Sequence, residues 1–183
     1  MKRKKSFSIP ETIISVAVIV ISLGYALNFM MQSYWQWSFE QQAVQLLKDI
    51  ETARALALFK RESTRVVFYG EQNFYRVFLD QDYPANQYYI ERKLNRRTGF
   101  MAHFGISSFH YFDEQGILRT GSINFGSSSS EFGGELRFTF RGTPSIGGHV
   151  ALYSDALDKV LVIIVKPVTG RARIGNVTAS YVR

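Results

Sequence analysis

A chain of 183 residues with 46% hydrophobic, 20% charged and 15% aromatic side chains excludes a disordered protein. Beyond an apolar N-terminal stretch it leaves room for one compact domain, and the absence of cysteine excludes a disulfide framework and a thiolate metal centre. The formal charge of +7 admits polyanion partners, but Lys2, Arg3, Lys4 and Lys5 supply four of those charges at the N-terminus, so most of the excess reads as a membrane-topology signal.

Residues 12–31, TIISVAVIVISLGYALNFMM, run for twenty positions without a charge. At about 1.5 Å per residue, a helix of that length crosses a hydrocarbon core of ~30 Å. The basic cluster precedes it, and Tyr34, Trp35 and Trp37 follow it. That is the pattern of a cytoplasmic flank and an interfacial aromatic belt, with the remainder of the chain extracytoplasmic. A buried core helix would carry a polar face, which this stretch lacks. A cleaved signal peptide would end in a small-x-small pattern, which Gln32-Ser33-Tyr34-Trp35 does not supply.

Glu11 stands at the lip of the apolar run. A carboxylate inside lipid costs about 2.5–3.5 kcal/mol on insertion scales unless a partner neutralises it. Two readings stand: a capping box, since Ser8-Ile9-Pro10-Glu11 is S-x-x-E with proline in the first turn, or a charge that awaits a partner.

The stretch Ser6-Phe7-Ser8-Ile9-Pro10-Glu11 ahead of an apolar helix resembles the processing site of type IV prepilins, with Ser6 where that family usually has glycine and Pro10 where it has an aliphatic residue. The resemblance implies that a prepilin peptidase cuts between Ser6 and Phe7 and that Phe7 becomes the N-methylated first residue. It also implies that Glu11 pairs with the terminal amine of a neighbouring subunit.

Beyond the aromatics, Phe39, Ala43, Leu46, Leu47, Ile50, Ala53 and Ala57 recur at three- and four-residue steps, with Lys48, Asp49, Glu51, Thr52 and Arg54 between them. This periodicity predicts an amphipathic helix that ends near Lys60, continuous with the apolar segment and with Gly24 as a place to bend. The expected organisation is a leader over 1–6, a transmembrane half-helix over 7–33, an amphipathic half over 34–61 and an antiparallel β domain over 62–183. Aromatic and β-branched runs predict strands at 65–69, 74–79, 87–93, 109–112, 122–125, 135–141, 149–153, 160–165 and 171–174. Turn residues separate them at 70–73, 80–84, 113–116 and 142–144, and a serine run at 126–130 reads as a hairpin loop. The fold class is α+β, a long N-terminal helix packed on an antiparallel sheet in the manner of pilins.

Ala53-Arg54-Ala55-Leu56-Ala57, late in the helix, and Val168-Thr169-Gly170-Arg171-Ala172-Arg173-Ile174, near the end, are similar in order and spacing to two motifs of the GspH/FimT-type minor pseudopilins. That resemblance implies a minor subunit of a type II secretion or type IV pilus filament, acting in assembly initiation or at the tip. Its partners would be other pilins or pseudopilins, the prepilin peptidase, an inner-membrane assembly platform and membrane lipid, and the subunit would pass from the inner membrane into a filament. Some FimT-type members bind DNA through a basic G-R-x-R segment, which Gly170, Arg171 and Arg173 match, so DNA capture for competence is the alternative. These arginines also read simply as solvated or paired with carboxylates.

No catalytic constellation is legible. His103, His110 and His149 lack metal-ligand spacing, and no nucleophile elbow or phosphate loop occurs. Asp155 and Asp158 read as a solvated turn and His110 as an outward strand residue. The expectation is no enzyme, no cofactor and no metal. A third reading is an anchored extracytoplasmic domain without a filament role.

Overall fold

The structure, a computed structural model, describes residues 9–82, 87–104, 106, 108–112, 118–121, 123–125, 134–175 and 178–182, and of residues 108, 109, 120 and 178–182 the backbone only. The predicted serine loop at 126–130 and the turn at 113–116 lie outside the described residues.

Helix α1 spans Ile9–Lys60, and the chain divides into two compact units, one ending at Ser38 and the other Phe39–Arg183. Over residues 12–31 of the first unit every helical face is apolar and exposed, with Ile13, Val18, Leu23 and Leu27 among the residues that form them. The hydroxyls of Ser15 and Ser22 donate to the carbonyls of Glu11 and Val18 at 2.8 Å, so both polar groups are satisfied within the helix itself. By length and composition this helix can cross a membrane.

In the second unit the same helix buries Phe39, Ala43, Leu46, Ile50, Ala53 and Ala57, the stripe that the periodicity predicted. It ends where Arg61 turns left-handed (φ 54°) and Glu62 N–H returns to the Ala57 carbonyl at 3.2 Å.

Twelve strands follow among the described residues: β1 (Thr64–Tyr69), β2 (Phe74–Leu79), β3 (Ile90–Lys93), β4 (Thr98–Phe100), β5 (Ser108–Phe112), β6 (Leu118–Thr120), β7 (Ile123–Asn124), β8 (Glu135–Phe138), β9 (Gly148–Ser154), β10 (Lys159–Val165), β11 (Ala172–Gly175) and β12 (Thr178–Val182). They form three antiparallel sheets, in the orders β3-β2-β1-β8, β11-β10-β9-β4 with β7 also on β9, and β12-β5-β6. The first sheet turns Val66, Phe68, Tyr75, Val77, Leu136 and Phe138 toward α1. The second is buried on both faces. Val150, Leu152, Ile163 and Val165 pack into the core with α1, and the alternate residues Ala151, Tyr153 and Val162 join Met101, Ile106 and Tyr111 behind it.

Four details correct the sequence expectations. Strand β8 stops at Phe138 because Gly142 takes φ 69° and its N–H closes a turn on the Thr139 carbonyl at 2.8 Å. The strand expected over 87–93 is confined to Ile90–Lys93. Strands β4, β6 and β12 are additional. Asp49 is buried, with 4% exposure, where the helical pattern placed it on the polar side.

Asp49 ties the helix to the first sheet. Its carboxylate accepts from Tyr75 Oη at 2.7 Å, from Arg92 Nε at 3.2 Å and from Gln45 Nε2 at 2.9 Å. Burial first, and the hydrogen bond and charge of Asp49 next, push the Tyr75 hydroxyl well above its usual range. A second latch is Asn73, at φ 60° in the β1–β2 turn. Its side chain donates to the Asn95 and Thr98 carbonyls at 3.2 and 3.1 Å and accepts from Phe100 N–H at 3.0 Å, joining the first sheet to β4 of the second.

Replacing Asp49 by alanine strands a buried tyrosine hydroxyl and should lower the unfolding free energy by about 2–4 kcal/mol, read as a shift of the urea midpoint at unchanged slope. Arg92→Ala should lower it by about 1 kcal/mol or less, because that side chain is already 52% exposed and rehydrates.

Candidate functional site

Of the residues that the sequence singled out, Ser6 and Phe7 lie outside the described residues. Glu11 stands in the first turn of α1 with an exposed side chain. A carboxylate at a helix N-terminus is favoured by the backbone dipole.

The two short motifs meet in space. Arg54 reaches from α1 to the loop after β8, its Nε donating to the Gly142 carbonyl at 3.0 Å, while its Nη1 pairs with Glu51 Oε2 at 3.4 Å. The other carboxylate oxygen of Glu51 accepts from Ala172 N–H at 2.8 Å, at the start of β11. Gly170, at φ 65°, completes the junction. A side chain there would stand 2.6 Å from the Gly142 carbonyl oxygen and 3.3 Å from Arg54 Nε. Ala53 and Ala57 are fully buried beneath. The junction therefore fastens the end of the helix to the β8–β9 loop and the β10–β11 turn.

Arg171 and Arg173 are separated by this arrangement. Arg171 is exposed and precedes β11, with its carbonyl closing the β10–β11 turn on Lys166 N–H at 3.1 Å. Arg173 is half-buried opposite Ile164, on the sheet face turned away from α1. There it lines a cavity of about 480 Å³ with Arg119, Lys166, His149, Tyr111 and Ile164.

His149 is one floor residue whose role the sequence concealed. It is buried in β9, meets Tyr111 edge-to-face at 4.9 Å between ring centres, and hydrogen-bonds through Nε2 to the Gly121 carbonyl at 2.6 Å. Burial, helped by the charge of Arg119, holds its imidazole below the usual range against the opposing effect of that hydrogen bond. His110 is exposed in β5, as expected from its alternation with aromatics. His103 is exposed and bonds to the Glu71 carbonyl at 2.9 Å. Asp158 occupies the β9–β10 turn at φ 51° and accepts from Tyr153 Oη at 2.8 Å. No group of three or more potential metal ligands occurs among the described residues.

Neither a protein-family profile nor a curated protein sequence matches this chain. Among solved structures it is similar to the minor pseudopilin EpsH from the Type 2 Secretion System of Vibrio cholerae, with a TM-score of 0.50 and 10% identity over 75% of this chain and 95% of that one. It is also similar to the type IV minor pilin FimU of Pseudomonas aeruginosa strain PAO1, with a TM-score of 0.48 and 12% identity over 74% of this chain and 87% of that one. At such identities the likeness is one of fold. This chain has a long helix on an antiparallel sheet domain, as the pseudopilin does.

Gly170→Ala should destabilise by roughly 1–3 kcal/mol, from left-handed strain and the displaced Gly142 carbonyl, whereas Arg171→Ala should stay within about 0.5 kcal/mol in the same denaturation series. His149 binds fewer protons folded than unfolded, so stability is full above about pH 6.5 and declines as pH falls below that value toward the depressed folded pKa. Melting curves across that window should show this decline, and His149→Gln should flatten it.

Proposed function

We propose that this chain is a minor pilin or pseudopilin subunit of a type II secretion or type IV pilus filament, acting in assembly initiation or at the tip. The observation that supports it best is a single helix with two surfaces. Its first half is apolar on every face and exposed, and its second half is packed into a β domain of minor-pseudopilin fold. The first half suits lipid before assembly and the helices of neighbouring subunits after it.

In this reading the basic leader stays cytoplasmic, the β domain is extracytoplasmic, a prepilin peptidase removes residues 1–6, and Phe7 is N-methylated. Glu11 then pairs with the terminal amine of a neighbouring subunit, which fixes helix register. An inner-membrane assembly platform draws the subunit from the bilayer. A second reading, capture of DNA for competence, is favoured by the exposure of Arg171 and Lys166 together at the β10–β11 turn. Duplex DNA retained near physiological salt and released by Arg171→Ala would support that reading.

The deciding experiment is N-terminal sequencing of the protein recovered from membranes with and without an active prepilin peptidase. The expected result is a chain beginning at Phe7 only when the peptidase is present. Met1 retained in both would leave an anchored β domain without a filament role. Glu11→Ala should then reduce crosslinking to other pilins several-fold while leaving the amount of membrane-inserted protein unchanged.

A further inference from the structure

The cavity behind the second sheet has a composition that the filament reading does not require. Its rim carries Arg119 from β6 and Lys166 from the β10–β11 turn, and Arg173 of β11 reaches it from within the sheet. No carboxylate is present among its described lining residues. A guanidinium has five N–H donors, so an arginine already bonded within a protein can also donate to a ligand oxygen. Cations converging on a concave, low-dielectric wall focus a positive potential into it.

The remaining walls are apolar. Tyr111 is buried at the floor, Ile164 is half-buried, and Pro167 and Val168 form the lip. Two glycines permit this shape. A side chain at Gly147 would meet Pro167 at 2.5 Å, and one at Gly148 would meet the Asn124 carbonyl oxygen at 1.9 Å, so β7 and the β10–β11 turn approach β9 only because neither residue has one. A volume of about 480 Å³ is that of a small-molecule site.

We infer that the cavity bounded by Arg119, Lys166, Arg173 and Tyr111 binds a small organic anion, a phosphate or carboxylate head on a compact apolar body. The head lies among the three cations and the body against Tyr111, Ile164 and Pro167. The inference is independent of the filament role, since it concerns a site within the β domain alone.

The test uses the full chain in mild detergent, with phenyl phosphate as probe and sodium chloride at matched ionic strength as control. Millimolar phenyl phosphate should raise Tm by about 2 °C or more, and inorganic phosphate by less, because the latter lacks the apolar body. Lys166→Glu lies on an exposed turn and should fold normally while abolishing the shift. Val168→Trp, which narrows the lip without changing charge, should weaken the response to phenyl phosphate more than the response to inorganic phosphate. No shift beyond the chloride control, or a shift that survives Lys166→Glu in a folded protein, overturns the assignment. A Tm rise given by a duplex oligonucleotide but not by phenyl phosphate at equal phosphate concentration also overturns it and assigns the cations to a nucleic-acid surface instead.

Discussion

The β9–β10 pair is apolar on both faces, and most of the domain follows from that constraint. A strand that alternates Val150, Leu152 on one side with Ala151, Tyr153 on the other cannot leave either side to water. One face is covered by α1, with alanines at 53 and 57 letting the helix approach. The other needs a second cover, which the 3₁₀ turn at Met101–Phe104 and Tyr111 of β5 help to supply. Beyond Ala151 and Val162 the same face carries His149, Ile164 and Arg173, which line the basic cavity together with Tyr111.

How much of this was legible in the sequence depended on where the determining contact lay. Strands whose apolar runs are continuous, at 149–153 and 160–165, were read to within a residue of β9 and β10, and the hairpin strand at 74–79 matched β2. The overrun at 139–141 came from Phe140, an aromatic residue that mimics strand composition while sitting in a turn set by Gly142 and Pro144. Strand β4 escaped because Thr98-Gly99-Phe100 is short and centred on glycine. That glycine is required, since a side chain there would fall 2.0 Å from Asn73 Oδ1. Asp49 was misplaced for a different reason. Helical periodicity records position, and the groups that make its burial tolerable, Tyr75 and Arg92, lie 26 and 43 residues away.

Read along the chain, the late-helix alanine and arginine pattern and the terminal glycine and arginine pattern are unrelated. In space, Arg54, Gly142, Gly170 and the pair Glu51–Ala172 form one junction. The arginine of the helical motif and the glycine of the terminal motif are therefore explained by packing alone. Arg171 and Arg173 are not, and they stand in different settings: one at the surface of a turn, the other at the wall of a cavity.

The first half of α1 poses a separate physical problem. Side chains such as Ile13, Ile19, Leu23, Leu27 and Phe29 are each more than half exposed, on all sides of the helix. An apolar cylinder of this kind has no orientation in water that hides its surface, because no polar face exists to turn outward. Its stable environments are hydrocarbon or a sheath of similar helices. Between those two, hydrophobic burial supplies little preference, since lipid chains are as apolar as leucine, and the choice falls to packing and to polar groups. Glu11 is the one carboxylate among the described residues of this segment. A carboxylate at a lipid boundary is costly without a partner, and a cationic group from another helix would offset that cost. Under the proposed filament role, exchange from bilayer to filament would turn on this one carboxylate, and the apolar residues around it would make either environment accessible.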